Sequence, residues 1–531
     1  MVGCCDEVNE HFRHTCGKVV AQRAGISDLE QSQCELVLQR RCFDVSKVGY
    51  ILRCNGDMID EDSLATFDSS LRSGTEDALR GKLRDDAWVQ ATLSVDAGGL
   101  GLREASVWAL PAFIASRTAS RPLVAAMCAH AQEEGLVSAD MCMRDYDRRS
   151  EGATHRWTTS LPHGVHAVVR LHIDEAAAVA ERRWRTWCAG EEDEEALEGA
   201  GSGGCSRRPG TAVVAEAGLE DPEHPAAPRG RGSLALQRNL VGLADTTVAT
   251  GLLNRARASG DTDTVHRLQE LTSPDQCHDW LWSISPQKGR VMPSQDFALA
   301  GRIRLGAGGP DEEVICANCG QAIIGPSGCH GLLCARGPCN RGHDAVRDDV
   351  FGFCNAVDGS TEFEPVGLVS SRPMLRPADI LTGVPDPSGR LAALDVGIIA
   401  PMASGAGDDC VETMVRRKQR RADGFRSELE DIGVEYRVLA VSAFGRFHSE
   451  FLRVLRTVAR AHARRRGTEE YVELRHIKTR IATSIWTRAA RMVRACTPEA
   501  ADEEDTGEVE LDSTALARRG HPGAAPADGP T

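Results

Sequence analysis

Cys316-Ala-Asn-Cys319, His330-Gly-Leu-Leu-Cys334 and Leu391-Ala-Ala-Leu-Asp395-Val-Gly-Ile-Ile399 are three pieces of one stretch, which joins a cysteine–histidine knuckle to a buried strand. The first two have the spacing of a zinc site. Two thiolates separated by two residues share one tight knuckle, and a histidine and a thiolate from a following helical turn complete a tetrahedral set. Gly320, Gly325, Gly328 and Gly331 give the intervening loop freedom to fold around a metal. Cys329, Cys339 and His343 lie nearby, so the ligand set stays open among them. With all four positions filled by protein, the zinc would be structural.

The third piece reads as a buried strand with a carboxylate inside an apolar run. An unpaired aspartate there is costly, so Asp395 requires a metal or a cation as partner. It closes a string of spaced acids that includes Asp348, Glu364 and Asp379. Metal-dependent phosphodiester cleavage needs carboxylates that converge on Mg²⁺ and usually a lysine near the attacking water. Asp379, Asp395 and Glu364 are therefore candidate catalytic residues. A simple D-x-K arrangement would put lysine two residues after Asp395, where Gly397 stands. Lys418, on the helix expected to follow, is the candidate amine.

Around this stretch the chain, 531 residues long, has room for several domains. Aromatics make up only 5%, so the cores must rest on Leu, Val, Ile and Ala. No apolar run approaches the roughly 18 residues of a membrane span, and no basic segment followed by an apolar one marks a secretory signal. The 19 cysteines are odd in number and scattered, which fits reduced thiols and a nuclear or cytoplasmic location. The net charge of −15 conceals a basic block: residues 416–494 carry 20 Lys or Arg against 9 Asp or Glu. Within it, the amphipathic segment from Phe451 presents Arg453, Arg456, Arg460 and Arg464 on one face. These are candidate nucleic-acid contacts, to phosphate and not to base edges.

Composition and periodicity divide the chain as follows. Residues 1–188 read as helical, and 189–235, acidic and then Gly/Pro-rich, as a disordered linker. Residues 236–310 form a helical connector, 311–345 a zinc knuckle and 346–497 an alternating α/β unit, and 498–531 a disordered tail. In the α/β unit the expected order is helix 344–357, strand 361–370, strand 391–399, helix 411–432, strand 434–441 and helix 447–466. The fold class is α+β multidomain.

Several motifs in collinear order carry a resemblance. They are Trp88-Val-Gln-x7-Gly98-Gly-Leu-Gly-Leu-Arg103, then Phe297-x4-Arg302-Ile-Arg-Leu-Gly306, the Cys-Cys-His-Cys quartet and Arg341-Gly-His343-Asp-Ala-Val-Arg-Asp348. Glu364-Pro, Arg376-Pro-Ala-Asp379-Ile-Leu, Leu394-Asp395-Val and Gly433-Val-Glu-Tyr-x3-Ala440-x4-Gly445 follow. Together they resemble the C-terminal part of a non-LTR retrotransposon reverse transcriptase polyprotein: thumb, zinc knuckle and a restriction-like endonuclease of PD-(D/E)xK type. The match covers roughly residues 1–135 and 236–497. The resemblance implies a thumb-like region at 1–188, structural Zn, catalytic Mg and a nuclease that nicks target DNA to prime reverse transcription. It also implies DNA, and element RNA, as partners.

The chain departs from the family in two respects. Its Asp-Asp pairs (85–86, 348–349, 408–409) lack the aromatic context of a polymerase palm, so no polymerase activity is expected of it alone. The family's proline–aspartate pair is here Pro377-Ala-Asp379, with a longer spacing to Asp395. The alternative is a catalytically inert, zinc-containing nucleic-acid-binding remnant.

Overall fold

The structure, a computed structural model, describes residues 4–189, 233–285, 290–334, 336–384 and 390–497. Nearly all of the expected linker (190–232) and the tail 498–531 lie outside these described residues. The N-terminal part is helical: α1 (Cys5–Ala24), α2 (Ser32–Cys42), α3 (Gly49–Asn55), α4 (Glu61–Ala78), α5 (Asp85–Ala91), α6 (Ala105–Glu133), α7 (Ala139–Thr159) and α8 (His166–Ala189). Helices α9 (Ser233–Ser259), α10 (Thr262–Leu271) and α11 (Ser294–Arg304) lead to a hairpin, β1 (Val314–Ile315) and β2 (Ile323–Ile324). Then come α12 (Gly331–Cys334), α13 (Arg336–Asn355), β3 (Glu362–Phe363), β4 (Ile380–Thr382), β5 (Ala392–Ile399), α14 (Cys410–Ala422) and α15 (Arg426–Asp431). The chain closes with β6 (Glu435–Ser442), α16 (Ser449–Arg466) and α17 (Glu470–Arg494). The α+β class agrees with expectation, and no helix among the described residues is long and apolar enough to cross a membrane.

Two expected elements come out shorter. The strand expected over 361–370 keeps only Glu362–Phe363, because Pro365 has no N–H for the ladder and Gly367 turns the chain at φ 80°. The helix expected over 411–432 breaks after Ala422, where Phe425 turns inward and is buried.

Helix α17 organises the core. Ile477, Ile481, Ile485, Trp486, Ala489, Ala490 and Val493, at helical spacing, are all buried. Trp486 stacks on Trp280 with ring centroids 4.6 Å apart, and Trp280 meets Phe297 edge-on at 5.7 Å. One apolar cluster joins these rings to Leu36, Leu79 and Leu100 of the N-terminal helical part and to Leu394 and Leu439 of the sheet. Buried Asp296 of α11 pairs with Arg491 at 3.0 Å and Arg494 at 2.9 Å, which locks α11 to α17.

The glycine-rich turn at 98–103 is the polar centre of the same junction. Arg304, fully buried, donates from Nε to the Gly99 carbonyl at 3.1 Å and from Nη2 to the Val95 carbonyl at 2.9 Å. Burial, and then the nearby Arg267, bring its pKa down to about 9. Gly99 admits no side chain, since a Cβ would lie 2.2 Å from the Leu93 carbonyl oxygen.

The sheet runs β3-β4-β5-β6, antiparallel through β5, with β5 and β6 parallel and Asp395 beside Val438. Strand alternation sends Leu394, Val396, Leu439 and Val441 to one face, into a cluster shared with α13, α16 and α17. Ile399, Val438 and Ala440 point to the other face, against Cys410, Val411 and Val415 of α14. Asp395 belongs to this second face.

Two outcomes are expected. Trp486→Ala should lower the free energy of unfolding by about 3–5 kcal/mol in urea titrations, since a buried ring is removed from a packed stack. Asp358 ties the turn between α13 and β3 to the end of β4 by accepting from Ser360 N–H, Thr382 Oγ1 and Gly383 N–H at 2.9–3.0 Å. Burial opposes its charge, but these hydrogen bonds outweigh burial and hold the carboxyl down at about 2. That pKa lies below the unfolded value, so the stabilisation is present above about pH 4 and disappears as pH falls toward 2. Asp358→Asn should therefore remove this part of the acid-induced loss of thermal stability.

Candidate metal centre and acidic site

The zinc-type quartet is assembled. The donor atoms of Cys316, Cys319, His330 and Cys334 all lie within 4.8 Å of one another. Cys316 Sγ is 3.7 Å from Cys334 Sγ, and Cys319 Sγ is 3.6 Å from His330 Nε2. A tetrahedron with Zn–S near 2.3 Å and Zn–N near 2.0–2.1 Å has edges of about 3.8 and 3.6 Å, so the donor set fits zinc in kind and in spacing. The knuckle is closed by the Cys316 N–H donating to Ala322 O at 2.8 Å and the Gly320 N–H to Cys316 O at 2.8 Å, with Gly320 at φ 67°. Backbone N–H groups of Ala322 and Gln321 aim at Cys319 and bring its thiol down to about 6, which favours the ligating thiolate.

The neighbouring candidates stand elsewhere. Cys329 is a buried thiol pushed up to about 11, chiefly by burial. Cys339 accepts from Arg488 at 3.1 Å, and His343 turns to the acids. Sequence reasoning missed Cys496, whose buried thiol lies beside Cys316 and Cys334 and is raised first by burial and then by Cys316. Its carbonyl accepts from Ala317 N–H at 2.9 Å, so the end of α17 is fastened to the knuckle. Its distance in sequence hid it.

The three expected acids lie along one row across the sheet. Extending the β4–β5 register by one residue puts Asp379 opposite Asp395, and extending β3–β4 puts Glu364 opposite Asp379. Backbone hydrogen bonds follow this row: Glu364 N–H to Asp379 O at 2.8 Å and Asp379 N–H to Leu394 O at 3.0 Å.

Their side chains do not all converge. Glu364 adopts φ 44° and gives its carboxylate to Arg347, at 2.7 Å, and to Arg376. Asp379 and Asp395 remain a facing pair. Asp379 Oδ2 accepts from Val396 N–H at 2.7 Å, and burial, then the Asp395 charge, raises its pKa. Two close carboxylates in a partly dry site resist joint ionisation, and a cation relieves that repulsion.

Asp395 is buried and both of its oxygens are engaged. Oδ1 accepts from Lys418 Nζ, and Oδ2 accepts from the Tyr436 hydroxyl. Lys418 arrives from α14 across Gly397, where an added Cβ would lie 2.7 Å from Lys418 Cε and 2.8 Å from Met414 Cγ. The glycine thus leaves open the place that a strand lysine would fill, and a helix lysine occupies it. On the opposite side, His343 Nε2 lies 3.2 Å from Val396 O and 3.9 Å from Asp379 Oδ2. The sequence offers no role for Tyr436 and places His343 only among the spare zinc ligands, because their approach to the acids depends on strand register and on the seating of α13.

Arg453, Arg456, Arg460 and Arg464 lie along α16, which packs on the face of the sheet opposite Asp395. Arg453 pairs with Glu450, and Arg460 with Glu470 at 3.0 Å.

The expected metal content is testable. The purified chain should carry stoichiometric zinc in elemental analysis, and Cys316→Ser or Cys334→Ser should lose it. Chelation should lower the thermal midpoint, because a metal bound by the quartet would order the knuckle whose Ala317 and Gly331 contact the end of α17. Metal-free protein with an unchanged midpoint would refute the centre. No protein-family model matches this chain, and no curated protein matches it.

Proposed function

We propose that residues 346–497 act as a metal-dependent DNA-nicking endonuclease within a retroelement-derived protein. The observation that carries this is the facing pair Asp379–Asp395 with the Lys418 amine held against it over Gly397. The two carboxylates offer hard oxygen donors suited to Mg²⁺. Bound there, Mg²⁺ supplies Lewis acidity toward a phosphate oxygen and lowers the pKa of a water. The chain's own residues do the rest. Tyr436 fixes the Asp395 carboxylate through its hydroxyl. The Val396 N–H fixes Asp379. Lys418 presents a positive charge where the phosphate gains charge in the transition state. The collinear motifs resembling thumb, knuckle and nuclease support the retroelement setting, in which a nick in target DNA primes reverse transcription; DNA and element RNA are the partners.

A second reading is an inert, zinc-containing nucleic-acid-binding remnant. It is favoured by the engagement of both Asp395 oxygens and by the pinning of Glu364 between Arg347 and Arg376.

Supercoiled plasmid with Mg²⁺ separates the two. Under the nuclease reading the protein produces nicked circles, and Asp395→Ala abolishes them. Lys418→Ala should slow nicking by about 10²–10³-fold, the range for loss of one group that stabilises charge in the transition state. Gly397→Ala, by displacing Lys418, should slow it while zinc content stays unchanged. Equal nicking by wild type and Asp395→Ala would sink the nuclease and leave the remnant.

A further inference from the structure

The densest basic run in the described residues is Arg416-Arg-Lys-Gln-Arg-Arg421, on the helix that delivers Lys418. Met414 and Lys418 meet Gly397 of β5. Arg417 and Arg421 stand three residues beyond each of them, so all four share one stripe of α14. Both arginines are exposed, and among the described residues neither has a hydrogen-bond or ion-pair partner. Arg421 is near enough for its charge to act on the Tyr436 phenol, which itself holds Asp395. Arg416 and Arg420 project from other sides of the helix; Arg416 pairs with Glu412 at 3.4 Å, and Arg420 donates to the Arg416 carbonyl at 3.3 Å. Helix α16 differs on both counts. It packs on the far face of the sheet, and Arg453 and Arg460 are already ion-paired.

We propose that Arg417 and Arg421 seat the phosphate backbone of duplex DNA along α14, directly beside the Asp379–Asp395 pair. The inference rests on the nuclease reading and names the surface that brings its substrate in. Two unpaired guanidiniums on a stripe flanking the acids match a strand of phosphates in charge. They also bring the backbone to the side of the sheet where Lys418 lies. Such binding positions the strand without reading its sequence.

The test uses the full chain, a short fluorescent DNA duplex and Ca²⁺ in place of Mg²⁺, so that binding is measured without cleavage. Arg417→Ala/Arg421→Ala should weaken binding about tenfold or more. It should also reduce the slope of log affinity against log salt by about 2, near 0.9 for each phosphate that an arginine neutralises. Arg453→Ala/Arg456→Ala/Arg460→Ala/Arg464→Ala should change both much less. Thermal midpoint and zinc content, expected to be unchanged, show that both variants fold.

An unaltered salt slope in the Arg417/Arg421 variant, or a larger effect in the α16 variant, overturns the proposal. So does a weakening confined to single-stranded RNA, which would make RNA the ligand of this face. Plasmid nicking with Mg²⁺ is scored separately. A wild type that nicks, with a double variant whose KM is unchanged, overturns the docking surface alone. A wild type that binds through Arg417 and Arg421 without nicking overturns the nuclease reading alone.

Discussion

The stack of Trp486 on Trp280 fixes one helix against everything else. Helix α17 is apolar along one side for most of its 25 residues, and its partners come from all parts of the chain. Gly331 of the knuckle abuts Val493, Gly342 of α13 abuts Arg488, and Ala317 bonds to the Cys496 carbonyl. A side chain at Gly331 or Gly342 would push the knuckle or α13 away from α17, so these glycines set the distance. With α17 fixed, α13 is fixed, and with it His343 beside Val396. The zinc-type knuckle and the acidic pair, separate in chemistry, thus share one mechanical support.

The acidic pair shows how a fold can supply a group that the local motif lacks. Side chains two residues apart on a strand point the same way, so a lysine at 397 would lie beside Asp395. Gly397 vacates that place and α14 passes close enough for Lys418 to enter it. The amine reaches Asp395 from a different backbone, and the carboxylate gains the cation that its burial demands.

Charge distribution follows the two faces of the sheet. On α16, Arg453 and Arg460 are engaged in ion pairs and the helix covers the far face, while α14 leaves Arg417 and Arg421 uncommitted beside the acids. An amphipathic pattern marks a charged face on both helices, but a pattern does not say which face of a sheet a helix will cover.

Short-range regularities were legible in the amino-acid sequence. The two-residue and three-residue spacings marked the quartet, the apolar run around Asp395 marked a buried strand, and the cost of burying that carboxylate required a cationic partner. Each depends on residues that are neighbours along a knuckle or a strand. The tertiary structure alone decided that Lys418 and Tyr436 share Asp395, and that Glu364 turns to Arg347 and Arg376. It alone separated Cys329, Cys339 and His343 from the quartet and brought Cys496 to it. Those outcomes depend on strand register and helix seating between residues distant in the chain, and no local periodicity encodes them.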